Sequence, residues 1–229
     1  MKKKNNAIYL LFLMPFVYFA TACFVIWLVK TSGIYPSGSD TMYHVYRGDY
    51  VYNAIKSGNW YPLYDPAWYN GVEILRYWSP LPAYVMAFCQ YLAGGSQLGA
   101  YLFYIGGVCF LGACVWPFIG RGFNRPYLGA FIGLLWFFMP NNLYALFVEG
   151  NLARSLSMIF LPVFIYAVYK YFDSRKTRYL LLITLSLLLI AMCHAGYAVM
   201  VVAVAIIYGI IYCIQNKRII VLSDVIISM

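Results

Sequence analysis

"PLPAYVMAFCQYLA", residues 80–93, decides how this chain is threaded. The stretch is apolar, yet at about 14 residues it is short of the roughly 20 that a helix needs to cross a ~30 Å hydrocarbon core. Longer apolar blocks lie to either side, at about 7–29, 97–119, 127–147, 156–172, 178–194 and 196–214. Charge separates the two threadings. Lys2, Lys3 and Lys4 place the N-terminus inside by the bias of basic loops toward the cytoplasm. If 80–93 lies along the outer surface, three basic loops all fall inside: Arg121 and Arg125; Lys170, Arg175, Lys176 and Arg178; Lys217 and Arg218. If it crosses, all three move outside. The sequence therefore predicts a juxtamembrane helix over 80–93, started by Pro80 and Pro82 and capped by Ser79.

Composition gives the same class. The 229 residues are 64% hydrophobic, 20% aromatic and only 10% charged, against roughly 25% charged in soluble domains. The expected fold is an all-α polytopic integral membrane protein, a helix bundle with a long helical first outer loop. The net charge of +9 is spread over the loops between apolar blocks, so it reads as a topology signal and no nucleic-acid partner is expected. Six cysteines form no CxxC pair and sit mostly in apolar runs, as buried small hydrophobes do. The start, "MKKKNNAIYLLFLMPFVYFATAC", has the outline of a secretory or lipoprotein signal, but "FVIWLV" carries the run on to Val29, which favours an uncleaved first span. "IIVLSDVIISM", 219–229, is about half a span; a seventh helix is expected to begin there, in a longer protein.

This threading gathers three segments outside: the loop 30–79, "VEGNLARS" at 148–155 and "CHAG" at 193–196. Of the 7 acidic residues, Asp40, Asp49, Asp65, Glu73 and Glu149 lie there, with both histidines, His44 and His194. "SDTMYHVYRGDYVYNAIKSG" reads as an amphipathic helix, opened by Ser39 or Asp40 and closed by Gly58. Asp40, His44 and Arg47 fall at i, i+4 and i+7, on one helical face. The following "NWYPLYDPAWYNGVEILRYWSP" is irregular and aromatic; Trp60, Trp68 and Trp78 are its candidates for stacking on a sugar, against the alternative of an aromatic belt. "GAFIG", 129–133, predicts close helix packing. Asn141 and Asn142, after Pro140, either satisfy freed backbone groups or line the site.

An acidic residue just after the first span, a helix ending in "SGNWYP", then "NG", then "YWSPLP" leading a short helix resemble the GT-C glycosyltransferases, polytopic enzymes that use polyprenyl-phosphate-linked sugars. The nearest resemblance is to bacterial membrane proteins labelled 6-pyruvoyl-tetrahydropterin-synthase-related, in which an Asp–x–x–x–His pair follows the first helix. It covers roughly residues 1–215, making 1–229 the N-terminal part of one GT-C-like domain. Where many relatives have DxD, the first loop here reads "SDTM". The resemblance implies that Asp40 is the base or organiser of the site and that Glu149 is its second acid. It also implies that Arg47 and Arg154 hold the lipid phosphate. His44, His194, Trp60 and Trp78 complete the candidate substrate-binding set. The implied partners are membrane lipid, a polyprenyl-phosphate sugar donor and an unidentified envelope acceptor, met at the outer face of the bacterial cytoplasmic membrane.

The chemistry asks for the same groups. Sugar transfer needs a carboxylate to take the acceptor proton and positive charge or donors on the departing phosphate. No cofactor is required by it; a divalent cation has one candidate seat, Asp40 with His44 at i, i+4. Each residue also has a plainer role: Asp40 as a helix N-cap, Glu149 as a charge at a helix terminus, Arg154 snorkelling to headgroups, His194 bonding a carbonyl in a tight turn. The rival functions are a lipid or polysaccharide transporter, disfavoured because the six long blocks carry almost no mid-depth charge, and a non-catalytic scaffold.

Overall fold

A computed structural model describes residues 2–215, and side chains from residue 11 onward; the expected seventh helix at 219 and the Lys217–Arg218 loop lie outside the described residues. Helix accounts for about 78% of the described residues, and no strand forms among them. The elements are α1 (Lys2–Ser32), α2 (Thr41–Lys56), α3 (Leu81–Leu92), α4 (Gln97–Gly122), α5 (Pro126–Leu135), α6 (Pro140–Leu143), α7 (Leu152–Ser174), α8 (Thr177–Cys193) and α9 (Ala195–Gln215). Five segments are long and apolar enough to cross a membrane: Leu11–Ser32, Gln97–Gly122, Pro126–Val148, Leu152–Ser174 and Ala195–Gln215. The chain is thus an all-α polytopic membrane protein. The outward-facing Phe12, Phe16, Phe131, Leu181 and Val204 are what lipid-facing surfaces require.

Contacts fix the threading. Ile26 of α1 meets Gly106 of α4, and Phe19 meets Phe110 with ring centroids 5.9 Å apart, so α1 and α4 run antiparallel. α5 returns along α4. A Cβ on Gly120 would lie 2.6 Å from the Gly129 Cα, and one on Gly133 would collide with the Tyr18 ring. The "GAFIG" stretch therefore lets α4 and α5 approach at backbone distance and leaves room for the Tyr18 ring of α1. α7 starts beside α4, where the Tyr104 hydroxyl donates to the Leu152 carbonyl at 2.8 Å, and descends to set Tyr166 against Phe123. α8 climbs back and α9 descends, packing Tyr208 on Phe172. Arg121, Arg125, Lys170, Arg175, Lys176 and Arg178 consequently collect at one end of the bundle. Asp40, Asp49, Asp65, Glu73, Glu149 and both histidines collect at the other.

The third pass is not one helix. After α5 the backbone tightens to a 3₁₀ turn at Trp136–Phe138, restarts at Pro140 as α6, and widens to a π turn at Tyr144–Val148. Proline cannot donate to the preceding turn, so the break falls there. Buried Asn142 repairs it: its amide donates to the Trp136 carbonyl at 3.0 Å. Asn141 instead faces a cavity.

α3 has 12 residues, about 18 Å of helix, too short to span. It packs on α2 and α4, and its Ala83 and Ala87 share a small core with Val51 of α2 and Ile74 and Leu75 of the preceding loop. Ser79 does not cap it. The N-cap position is Pro80, without a side-chain bond; Ser79 reaches elsewhere, as described below. The loop 57–79 is held by buried Asp65, which accepts from the Tyr46 hydroxyl at 2.5 Å and the Ala67 N–H at 2.9 Å and pairs its backbone with Val72.

Candidate functional site

Four of the five carboxylates at the acidic end already have work. Asp49 accepts from the Gln90 amide at 2.6 Å, and Asp65 holds its loop. Glu73 pairs with Arg76 at 2.6 Å, and Glu149 with Arg154 at 2.8 Å. Asp40 is the exception. Its carboxylate receives only the neighbouring Ser39 hydroxyl at 3.2 Å and makes no helix-capping bond, so the N-cap role fails. Asp40 is exposed, and it lines two adjoining cavities.

The smaller cavity, about 240 Å³, is walled by Asp40, Tyr43, His44, Arg47, Trp78 and His194, among others. The larger, about 660 Å³, adds Asn141, Glu149 and Arg154. Asp40, Asn151, His194 and Gly196 belong to both and form the shared wall. The face predicted from i, i+4, i+7 spacing is therefore real, although α2 begins one residue after Asp40. Of the sequence candidates, Asp40, His44, Arg47, Trp78, Glu149, Arg154 and His194 come together. Trp60 does not: it is 71% exposed, and only its carbonyl is used, by the Tyr84 hydroxyl. Trp68 stacks on Tyr43 and Tyr46 behind the smaller chamber.

Backbone bonds, joined by the Ser39 hydroxyl, bring Asp40 to the 148–151 turn. The Asp40 N–H donates to the Glu149 carbonyl at 2.9 Å, and the Ser39 hydroxyl to the same carbonyl at 2.8 Å. Gly38 and Gly150 face each other so closely that a Cβ on Gly38 would lie 2.5 Å from the Gly150 Cα. Gly150 also has φ +67, and a Cβ there would lie 2.2 Å from Thr41 Oγ1. Gly150→Ala is expected to lower the unfolding temperature in detergent well beyond Gly58→Ala, whose φ is +87 but whose Cβ meets nothing within 4 Å. Backbone strain alone is worth about 1–3 kcal/mol; equal losses in the two variants would show that the Gly38–Gly150 approach is not needed.

Arg47 is the unusual charge. It is 2% exposed, lies 5.4 Å from the ring centroids of both Tyr43 and Trp78, and donates once, to the Ile74 carbonyl at 3.3 Å. Its Nε has no partner, nor does the Tyr43 hydroxyl beside it. The ion pairs among the described residues are Glu73–Arg76 and Glu149–Arg154, so no carboxylate offsets Arg47. Burial pulls its pKa below the usual guanidinium value. Arg154, by contrast, is neutralised by Glu149 and steadied by Asn141 at 3.3 Å.

His44 is held neutral. Burial first, then the Arg47 charge, push its pKa down from 6.5 to about 4. The unfolded chain thus takes up a proton at a pH where the folded one does not. Stability from the neutral ring is fully present above pH 6.5 and is lost as pH falls from 6.5 to about 4. The unfolding temperature of the wild type should drop more steeply over that window than that of His44→Gln; parallel curves would contradict it.

His194 ends α8 and opens α9. Its Nδ1 accepts from the Tyr197 N–H at 3.0 Å, an N–H shared with the His194 backbone carbonyl, also at 3.0 Å. Ser79 secures this corner: its hydroxyl donates to the Ala191 carbonyl at 2.7 Å and accepts from the Ala195 N–H at 3.1 Å. Sequence reasoning missed Ser79, Tyr43 and Asn151 as site residues. Asn151 had a signal, since "NLAR" opens a helix and Asn151 caps it by accepting from the Arg154 N–H at 2.9 Å.

No three His, Cys, Asp or Glu side chains converge among the described residues. Asp40 and His44 therefore have no third His, Cys, Asp or Glu ligand among the described residues.

A bundle of membrane-length apolar helices with a polar, two-chambered cavity at one end defines a polytopic membrane protein. Residues 75–229 match the family described as 6-pyruvoyl-tetrahydropterin synthase related domain, membrane protein, and the chain belongs to that family. No curated protein and no solved structure matches the chain.

Proposed function

We propose that this protein is a GT-C-type glycosyltransferase that moves a sugar from a polyprenyl-phosphate donor to an envelope acceptor at the extracytoplasmic face. One observation carries the reading: Asp40, the single uncommitted carboxylate of its end, stands in the wall between two chambers, one of them floored by a buried, unpaired Arg47. Sugar transfer from a phosphate needs a base on the acceptor and a fixed cation on the leaving group. Asp40 takes the acceptor proton. Arg47, desolvated and set between two aromatic rings, receives the phosphate, where low local polarity strengthens the attraction. Glu149 is then a positioning residue: its ion pair holds Arg154 toward the larger chamber instead of leaving its own carboxylate free for chemistry. Trp78, on the Arg47 chamber, is the stacking surface in place of Trp60. The apolar groove lined by Trp116, Met139, Pro140, Leu161 and Ile165 shares Asn141 and Tyr197 with the larger chamber, so a lipid-linked substrate has continuous apolar surface below its headgroup.

The test is transfer of labelled sugar from a polyprenyl-phosphate donor by membranes containing the protein. Label reaching a non-lipid acceptor supports the reading. Label that crosses the bilayer still attached to its lipid supports transport instead and overturns it.

A further inference from the structure

We infer that His194 offers its Nε2–H to a bound phosphate-type oxyanion in the chamber floored by Arg47, and that Ser79 is the positioning residue that fixes this ring. The inference deepens the transferase reading and rests on its assignment of the Arg47 chamber to a phosphate. An imidazole nitrogen that accepts from a backbone N–H carries no proton. Because Nδ1 accepts from Tyr197 at 3.0 Å, the neutral ring's proton is on Nε2. His194 lines both chambers, and Nδ1 is the ring nitrogen used inside the protein. Arg47, 2% exposed with Nε unpartnered, supplies the charge that such a donor complements. Ser79, 112 and 116 residues away in sequence, ties both strands of the corner through Ala191 and Ala195. It follows Trp78 directly, and Trp78, Ser79 and His194 all line the same chamber.

The chain has only two histidines, so ¹⁵N-histidine labelling of the whole protein in detergent micelles gives two imidazoles to watch. Expected are a fixed Nε2–H tautomer for His194 and a shift of its Nε2 signal on titration. One arm uses inorganic phosphate and the other farnesyl phosphate. A response to both assigns the site to the bare anion, and a response to the second alone assigns it to a lipid headgroup. No response in either arm, or a ring averaging between tautomers, overturns the proposal. Ser79→Ala should let the ring average and Ser79→Thr should restore it. His194→Asn keeps the acceptor for Tyr197 but loses the distal donor, and should weaken binding of the responding probe about tenfold to hundredfold. His194→Gln keeps a distal donor and should bind within a few-fold of wild type. The reverse ranking makes His194 a helix cap and nothing more. Anion binding without sugar transfer would leave this inference standing and remove the transferase reading; transfer with a silent His194 would do the opposite.

Discussion

Asp40→Asn is expected to reduce sugar transfer by about 10²–10⁴-fold while folded protein accumulates in the membrane as before. The structure separates the two outcomes. Asn has nearly the same shape, and its side-chain oxygen still accepts from Ser39. The backbone bond from residue 40 to the Glu149 carbonyl does not depend on the side chain. Nor does α2 lose anything, since Asp40 gives it no cap. What disappears is a group able to take a proton. Asp65→Asn is the contrasting variant: its carboxylate is buried and bonded twice, so it should lose stability first and activity only as a result. Labelled-donor assays on membranes matched for protein level check both. Undiminished turnover in Asp40→Asn would remove this residue from the mechanism.

Arg47→Met should raise the KM for the phosphate-bearing donor by about 100-fold, near 2.7 kcal/mol of lost binding. It should not lower the unfolding temperature, and it should raise it slightly. Burying a guanidinium without a carboxylate is unfavourable, and an apolar chain of similar length between Tyr43 and Trp78 removes that penalty. A residue that weakens the fold and strengthens a binding chamber is maintained for the chamber. Kinetics and thermal unfolding of one variant decide it. A stability loss at unchanged KM would make Arg47 a structural post between two aromatic rings.

Local pattern carried much of the fold. Apolar block length set the long helices, and the shortness of 80–93 marked α3 as non-spanning by length. Spacing put Asp40, His44 and Arg47 on one chamber wall. Three things were hidden, two because they depend on residues far apart in sequence and one because its spacing is not a helical one. Ser79 reads as a cap beside Pro80, yet its partners lie beyond residue 190. Nothing in "SGSD" and "VEGN" shows that Gly38 will meet Gly150. Glu149 and Arg154 are five apart across a turn, off the helical spacings at which a pair is anticipated. Trp60 failed for a different reason: aromatic richness says that a loop is amphipathic without saying which rings turn inward.

The π turn at Tyr144–Val148 bears on how such a site came to exist. A turn of this kind is wound one residue looser than its α-helical surroundings. Each residue of an α-helix advances the chain by about 100°, so the surplus residue resets the compass bearing of everything downstream. Glu149 and Gly150 follow immediately, and Gly150 is the residue that docks on Gly38. In this geometry the meeting of two distant arms of the chain depends on a single extra step in the winding of a membrane segment, which aims the arm carrying Glu149, Asn151 and Arg154 at the arm carrying Asp40.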